Sequence, residues 1–192
     1  MDYMHENHRH EFDYERMHIM RENIVPVKEL LDILDPKKGD IIIDAGSGDG
    51  YYALKMAERS SNSKIIAMEI SKKGNELLKK QIDAKNMGNI LIEEVDLCKV
   101  EKFPQFNKVF FSTVFHDFNC QDMLLRKLVV SAMEGAKFIF FEFLKDSQFG
   151  PPATIKLSEK ELQTICERNG LRKISEKIFT DHYVQIYTIN KK

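Results

Sequence analysis

The stretch Ile41-Ile42-Ile43-Asp44-Ala45-Gly46-Ser47-Gly48-Asp49-Gly50 joins an apolar β-branched run to three alternate glycines, and a helical pattern follows at once. Few folds accept that order. Consecutive isoleucines suit a strand buried on both faces, as in a parallel sheet covered by helices. Glycines at 46, 48 and 50 let the chain take positive φ and let a ligand approach where a Cβ would collide. The expected helix over Tyr51 to Arg59 aims its N-terminal dipole at that ligand. A nucleotide-like molecule is implied.

The same grammar repeats downstream. Lys64 to Glu69 reads as a second strand, and Ser71 to Lys85 as a helix with Leu77, Leu78 and Ile82 inward. Ile90 to Val95 is a third strand, ending in Asp96-Leu97. Lys108 to Asp117 is a fourth strand with its exit loop, which carries His116, and Leu124, Leu125, Leu128 and Ala132 mark the following helix. Gly135 precedes the apolar strand Phe138 to Phe143. Ser158 and Glu161 have the spacing of a capping box, with Leu157 placed to staple onto Leu162. Strands near Ile174 to Phe179 and Tyr183 to Ile189, joined through Thr180-Asp181-His182, read as a terminal hairpin. Ahead of the first strand, Val27, Leu30, Leu31 and Leu34 form an apolar helical stripe that Asp35-Pro36 ends. The turn Lys37-Lys38-Gly39-Asp40 then leads into the sheet.

These features together resemble the class I S-adenosylmethionine-dependent methyltransferases. Two details separate that resemblance from nicotinamide-dependent oxidoreductases: the third glycine of the dinucleotide fingerprint falls on Tyr51, and Asp44 stands two residues before the first glycine. The resemblance implies a Rossmann-like αβα sandwich, a seven-stranded and mostly parallel sheet with an antiparallel C-terminal hairpin strand. It also implies S-adenosylmethionine as cofactor, held around the loop by Asp44, Gly46, Ser47, Gly48 and Gly50. Glu69, with Ile70 after it, then takes the ribose hydroxyls, while Asp96 and the Leu97 amide take the adenine. Ser112 lines the cleft beside the reactive methyl. His116 has two readings, a general base for an attacking hydroxyl or amine and a residue that holds the loop, and the second is preferred because a His at this turn accompanies varied substrates.

A chain of 192 residues suffices for one domain, expected over 24–192. Residues 1–23 are a polar arm containing His5, His8, His10 and His18. Its His10-Glu11-Phe12-Asp13 stretch resembles arms that help close the pocket in related methyltransferases, and no metal site is expected there. With 29 basic and 30 acidic residues, no global field attracts nucleic acid or membrane, so a small-molecule methyl acceptor is the expected partner. Cys98, Cys120 and Cys166 lie far apart and suggest neither a disulfide framework nor a zinc set, which favours a reducing, cytoplasmic setting. A cofactor-binding protein without catalysis is the rival reading from another class.

Overall fold

The computed structural model describes Arg21 and residues 26–189. The arm's histidines at 5, 8, 10 and 18 lie outside the described residues. Helix α1 (Val27–Leu34) leads to β1 (Ile41–Ala45), α2 (Tyr51–Arg59), β2 (Lys64–Glu69), α3 (Lys72–Lys85), β3 (Ile90–Glu94) and β4 (Phe106–Ser112). A single 3-10 turn (Phe115–Asp117) precedes α4 (Gln121–Ser131) and β5 (Ala132–Phe143), and the chain closes with α5 (Glu159–Arg168), β6 (Leu171–Ile178) and β7 (His182–Ile189).

The strands form one sheet of order β3-β2-β1-β4-β5-β7-β6. The first five run parallel, and β7 runs antiparallel to both β5 and β6. Because side chains alternate across a strand, neighbouring residues of β1 enter different cores: Ile42 belongs to the cluster under α1 to α3, Ile43 to the cluster under α4 and α5. The run of isoleucines is thus buried from both sides, as its composition requires. Phenylalanines fill the centre in the same alternating way. Phe110, Ile139 and Phe141 face one cluster, while Phe111, Phe138 and Phe140 face the other. Phe111 and Phe140 are cross-strand partners whose rings stack at 4.9 Å and 4°.

Local chemistry sets the element ends. Ser71 caps α3 by accepting the Gly74 N–H at 3.2 Å, and Ser158 with Glu161 completes the expected capping box on α5. Strand β5 departs from the sequence reading. It begins at Ala132, and Gly135 lies inside it at φ 73°. Between the pairs Phe106↔Ala132 and Lys108↔Lys137, β4 advances two residues while β5 advances five, so the extra residues bulge out through the glycine.

The cysteine reading is corrected. Cys98 and Cys120 are joined by a disulfide, their Cα atoms 5.8 Å apart, and Cys166 alone is a free buried thiol. The pairing was hidden because the turn after β3 and the residue before α4 come together only in the parallel sheet. The argument for a reducing compartment loses its support with it.

Candidate functional site

Parallel register brings the carboxyl ends of β1, β2 and β4 to one edge, where Ala45 pairs with both Met68 and Phe111. Open α/β sheets bind ligands outside that edge, where strand order reverses. Here the reversal lies between β1 and β4.

The glycine loop is fixed to its neighbours by backbone bonds. Gly46 and Ser47 donate to the Met68 carbonyl at 2.8 and 3.3 Å. Gly46 has φ 73°, and a Cβ there would stand 2.7 Å from Val114 Cγ2. Gly50 has φ 77°, and its Cβ would meet Leu78 Cδ1 at 2.3 Å. These two glycines therefore answer to packing by the β4 exit and by α3, in addition to any close approach of a ligand.

Asp44 is the least compensated group in the site. It is 2% exposed, and its Oδ2 is buried without a hydrogen-bond partner among the described residues. The backbone N–H of Ala53, in the first turn of α2, acts on this carboxyl and favours its ionised form. Burial pushes the Asp44 carboxyl up to about 7, against the opposing field of Arg21. The Ser47 hydroxyl is likewise buried without a partner among the described residues. An orphaned carboxylate oxygen and a hydroxyl beside a glycine loop fit the ammonium end of S-adenosylmethionine.

Glu69, at the end of β2, has a task invisible in the sequence. Its Oε2 accepts the Gly48 N–H at 2.8 Å and its Oε1 accepts the Ser71 N–H at 2.7 Å, so one carboxylate spans the loop and the start of α3. Each oxygen keeps a second lone pair for a sugar hydroxyl. Ile70 beside it is 52% exposed, an apolar surface at the edge of the cleft. On the next strand, Asp96 accepts the Cys98 N–H at 3.0 Å and lies 3.1 Å from the Lys99 ammonium, which is turn chemistry. The Leu97 side chain is buried in the core below α4 and α5, which leaves its peptide group for any contact outward. The Cys98–Cys120 bridge ties this turn to the start of α4.

At the end of β4, Ser112 is half-buried and pairs with Phe141. The chain then turns through Thr113 at φ 49° into the segment carrying His116. The His116 side chain is 3% exposed, and its Nδ1 lies 2.6 Å from Oε2 of Glu142. The other oxygen of Glu142 accepts the Phe115 N–H at 2.8 Å. Burial lowers the His116 pKa, but the Glu142 bond outweighs it and the net shift is upward. Glu142 was missed in the sequence, although an acid inside Phe138 to Phe143 is a visible anomaly. His182 was missed as well. It is 2% exposed, lies against Phe141 at 4.6 Å and Phe143 at 4.5 Å, and its Nδ1 has no partner among the described residues. Burial pushes it down to about 4, so the ring is neutral.

Residues 42–132 match the methyltransferase domain family. A malonyl-[acyl-carrier protein] O-methyltransferase of Ilyobacter polytropus is 26% identical over 147 residues, which are 74% of this chain. The chain spans 54% of the length of that relative. Among solved structures, a SAM-dependent methyltransferase of Aquifex aeolicus superposes with a TM-score of 0.82 at 19% identity, over 93% of this chain and 99% of that one. An S-adenosylmethionine-dependent methyltransferase of Clostridium acetobutylicum gives 0.72 at 11% identity, again over 93% and 99%. The domain match runs from β1 to the start of β5, a stretch that contains the glycine loop, both strand-end acids and the His116 turn, and the solved structures share the Rossmann-like fold of S-adenosylmethionine-dependent methyltransferases.

Proposed function

We propose that the chain moves a methyl group from S-adenosylmethionine to a small-molecule acceptor. One observation carries the reading: Asp44 holds a buried carboxylate oxygen without a partner among the described residues, at the carboxyl end of β1 and beside the glycine loop. Such an atom costs the fold about 1 to 3 kcal/mol. A cationic ligand group removes that cost.

The cofactor brings an electrophilic methyl on a positively charged sulfur. The chain's own residues position and shield. Asp44 and Ser47 receive the ammonium, Gly46, Gly48 and Gly50 shape the loop, and Glu69 receives the ribose hydroxyls beside the apolar face of Ile70. Asp96 and the Leu97 amide border the adenine, and Ser112 lines the cleft where the acceptor enters. Aligning two reactants in attack geometry can supply roughly 7 to 11 kcal/mol of a barrier, so the fold needs little proton chemistry.

His116 is read as a brace. Its Nδ1 is committed to Glu142, and the same carboxylate holds the Phe115 amide, so the pair fixes the β4 exit turn. His116→Asn should leave cofactor affinity intact and lower turnover by less than about tenfold, with the pH profile keeping its shape. A general base would lose about a hundredfold or more. The decisive assay is release of S-adenosylhomocysteine on a panel of small-molecule acceptors. Binding of cofactor with no turnover on any acceptor would favour a non-catalytic binding protein.

A further inference from the structure

Arg21 is the described residue of the N-terminal arm, and it reaches the glycine loop. Its guanidinium donates to Asp49 at 2.6 Å, with the two side chains 15% and 14% exposed. It also lies 5.3 Å from the centre of the Tyr51 ring, over the first residue of α2. Its charge acts on Asp44 as the main opposition to burial. Lys55 approaches the same ring at 4.7 Å from a full turn further along α2.

The charges around the loop set a problem for the ligand. Asp44, Asp49 and Glu69 are acids suited to the ammonium, the sulfonium and the hydroxyls, and each repels the carboxylate at the amino-acid end. A cation near the N-terminus of α2 offsets that repulsion, adding to the positive end of the helix dipole. We propose that Arg21 binds the cofactor's carboxylate, held in place by Asp49, so that the arm reads the amino-acid end of the ligand. This deepens the methyl-transfer reading and rests on it. A guanidinium has five N–H donors and the Asp49 bond uses one, so a second carboxylate can be taken on the same fork without breaking the first contact. The Tyr51 ring supports the flat face of the cation and limits its rotamers.

The test compares ligands that differ only in that carboxylate. Titration calorimetry is run with S-adenosylmethionine, S-adenosylhomocysteine and decarboxylated S-adenosylmethionine on the full chain, on Arg21→Met and on Arg21→Lys, with melting curves to check folding. Arg21→Met should weaken both carboxylate-bearing ligands by about tenfold or more, about 1.4 kcal/mol, and leave the decarboxylated ligand within about twofold. Arg21→Lys should fall between, since it keeps the charge and loses the fork. Equal losses for all three ligands would make Arg21 a support of the loop and overturn the proposal, as would no loss for any. If the unaltered chain binds none of them, the cofactor reading itself fails, a result visible before any variant is compared.

Discussion

Two aspartates bracket β1, and their surroundings are opposite. Asp40, just before the strand, is 8% exposed and fully engaged: Lys108 donates at 2.6 Å, Asn107 at 2.5 Å and the Lys37 N–H at 2.7 Å. Lys108 also donates to the Asp35 carbonyl at 2.6 Å. Asp44, inside the strand near its other end, is 2% exposed and keeps one oxygen without a partner among the described residues. Burial raises both pKa values, yet Lys108 and the two amide donors bring Asp40 below its usual value while Asp44 stands at about 7. The amino edge of the sheet is finished chemically, and the carboxyl edge is left open. Under the proposed function, stability is concentrated at the first and recognition at the second.

The two carboxyls also act oppositely with pH. Asp40 is depressed, so its stabilisation is present above its ordinary value of 3.8 and is lost as pH falls through its folded value. Asp44 is raised, so the folded chain holds its proton more tightly than the unfolded one. Its contribution is greatest below 3.8 and disappears as pH rises towards about 7.

The largest way to break the contrast is Lys108→Met, which leaves Asp40 buried without its cation. Removing one partner of a buried pair costs about 3 to 5 kcal/mol, read by denaturant titration. S-adenosylmethionine affinity should stay within about twofold, and a large loss there would mean that the two edges are not separate. Reduction of Cys98–Cys120, or Cys98→Ser, comes next. The bridge spans a sequence separation of 22 residues, for which chain entropy gives about 3 kcal/mol. Denaturation midpoints with and without a dithiol measure it. Equal midpoints would show that the noncovalent contacts of the turn after β3 suffice. Smallest of these is Glu69→Ala, which should weaken the cofactor by roughly 1.5 to 3 kcal/mol by calorimetry. Because Glu69 also holds the Gly48 and Ser71 amides, a stability loss of about 1 kcal/mol should accompany it. A stability loss with unchanged affinity would confine Glu69 to the loop.

The sequence made the local half of this contrast readable. The isoleucine strand, the glycine loop, α2 and the Ser158 capping box are written in contiguous residues, and each appears where its pattern places it. The terminal hairpin was readable from its place after alternating strands and helices, while the antiparallel insertion of its last strand, here between β5 and β6, came from the family resemblance. What stayed hidden is pairing across register. Asp40 meets Lys108 68 residues away, His116 meets Glu142 at 26 and Arg21 meets Asp49 at 28. No local pattern encodes which strand lies beside which, so the same letters that announce a carboxylate cannot say whether it is satisfied. Asp40 and Asp44 look alike in the sequence. Only the sheet separates them.

The most direct measurement is calorimetric titration of S-adenosylmethionine into the unaltered chain and into Asp44→Asn, from about pH 5.5 to about pH 7. The account predicts one site of micromolar affinity, about −8 kcal/mol, in the unaltered chain. That affinity should strengthen as pH rises towards about 7, because the ligand's ammonium requires the ionised Asp44 carboxylate. Asp44→Asn should bind about 2 to 5 kcal/mol more weakly, the cost of removing one member of a buried charged pair, and without that pH dependence. Absence of S-adenosylmethionine binding to the unaltered chain, or equal affinity and equal pH dependence in the two proteins, would contradict the claim that the open edge of β1 is the cofactor's.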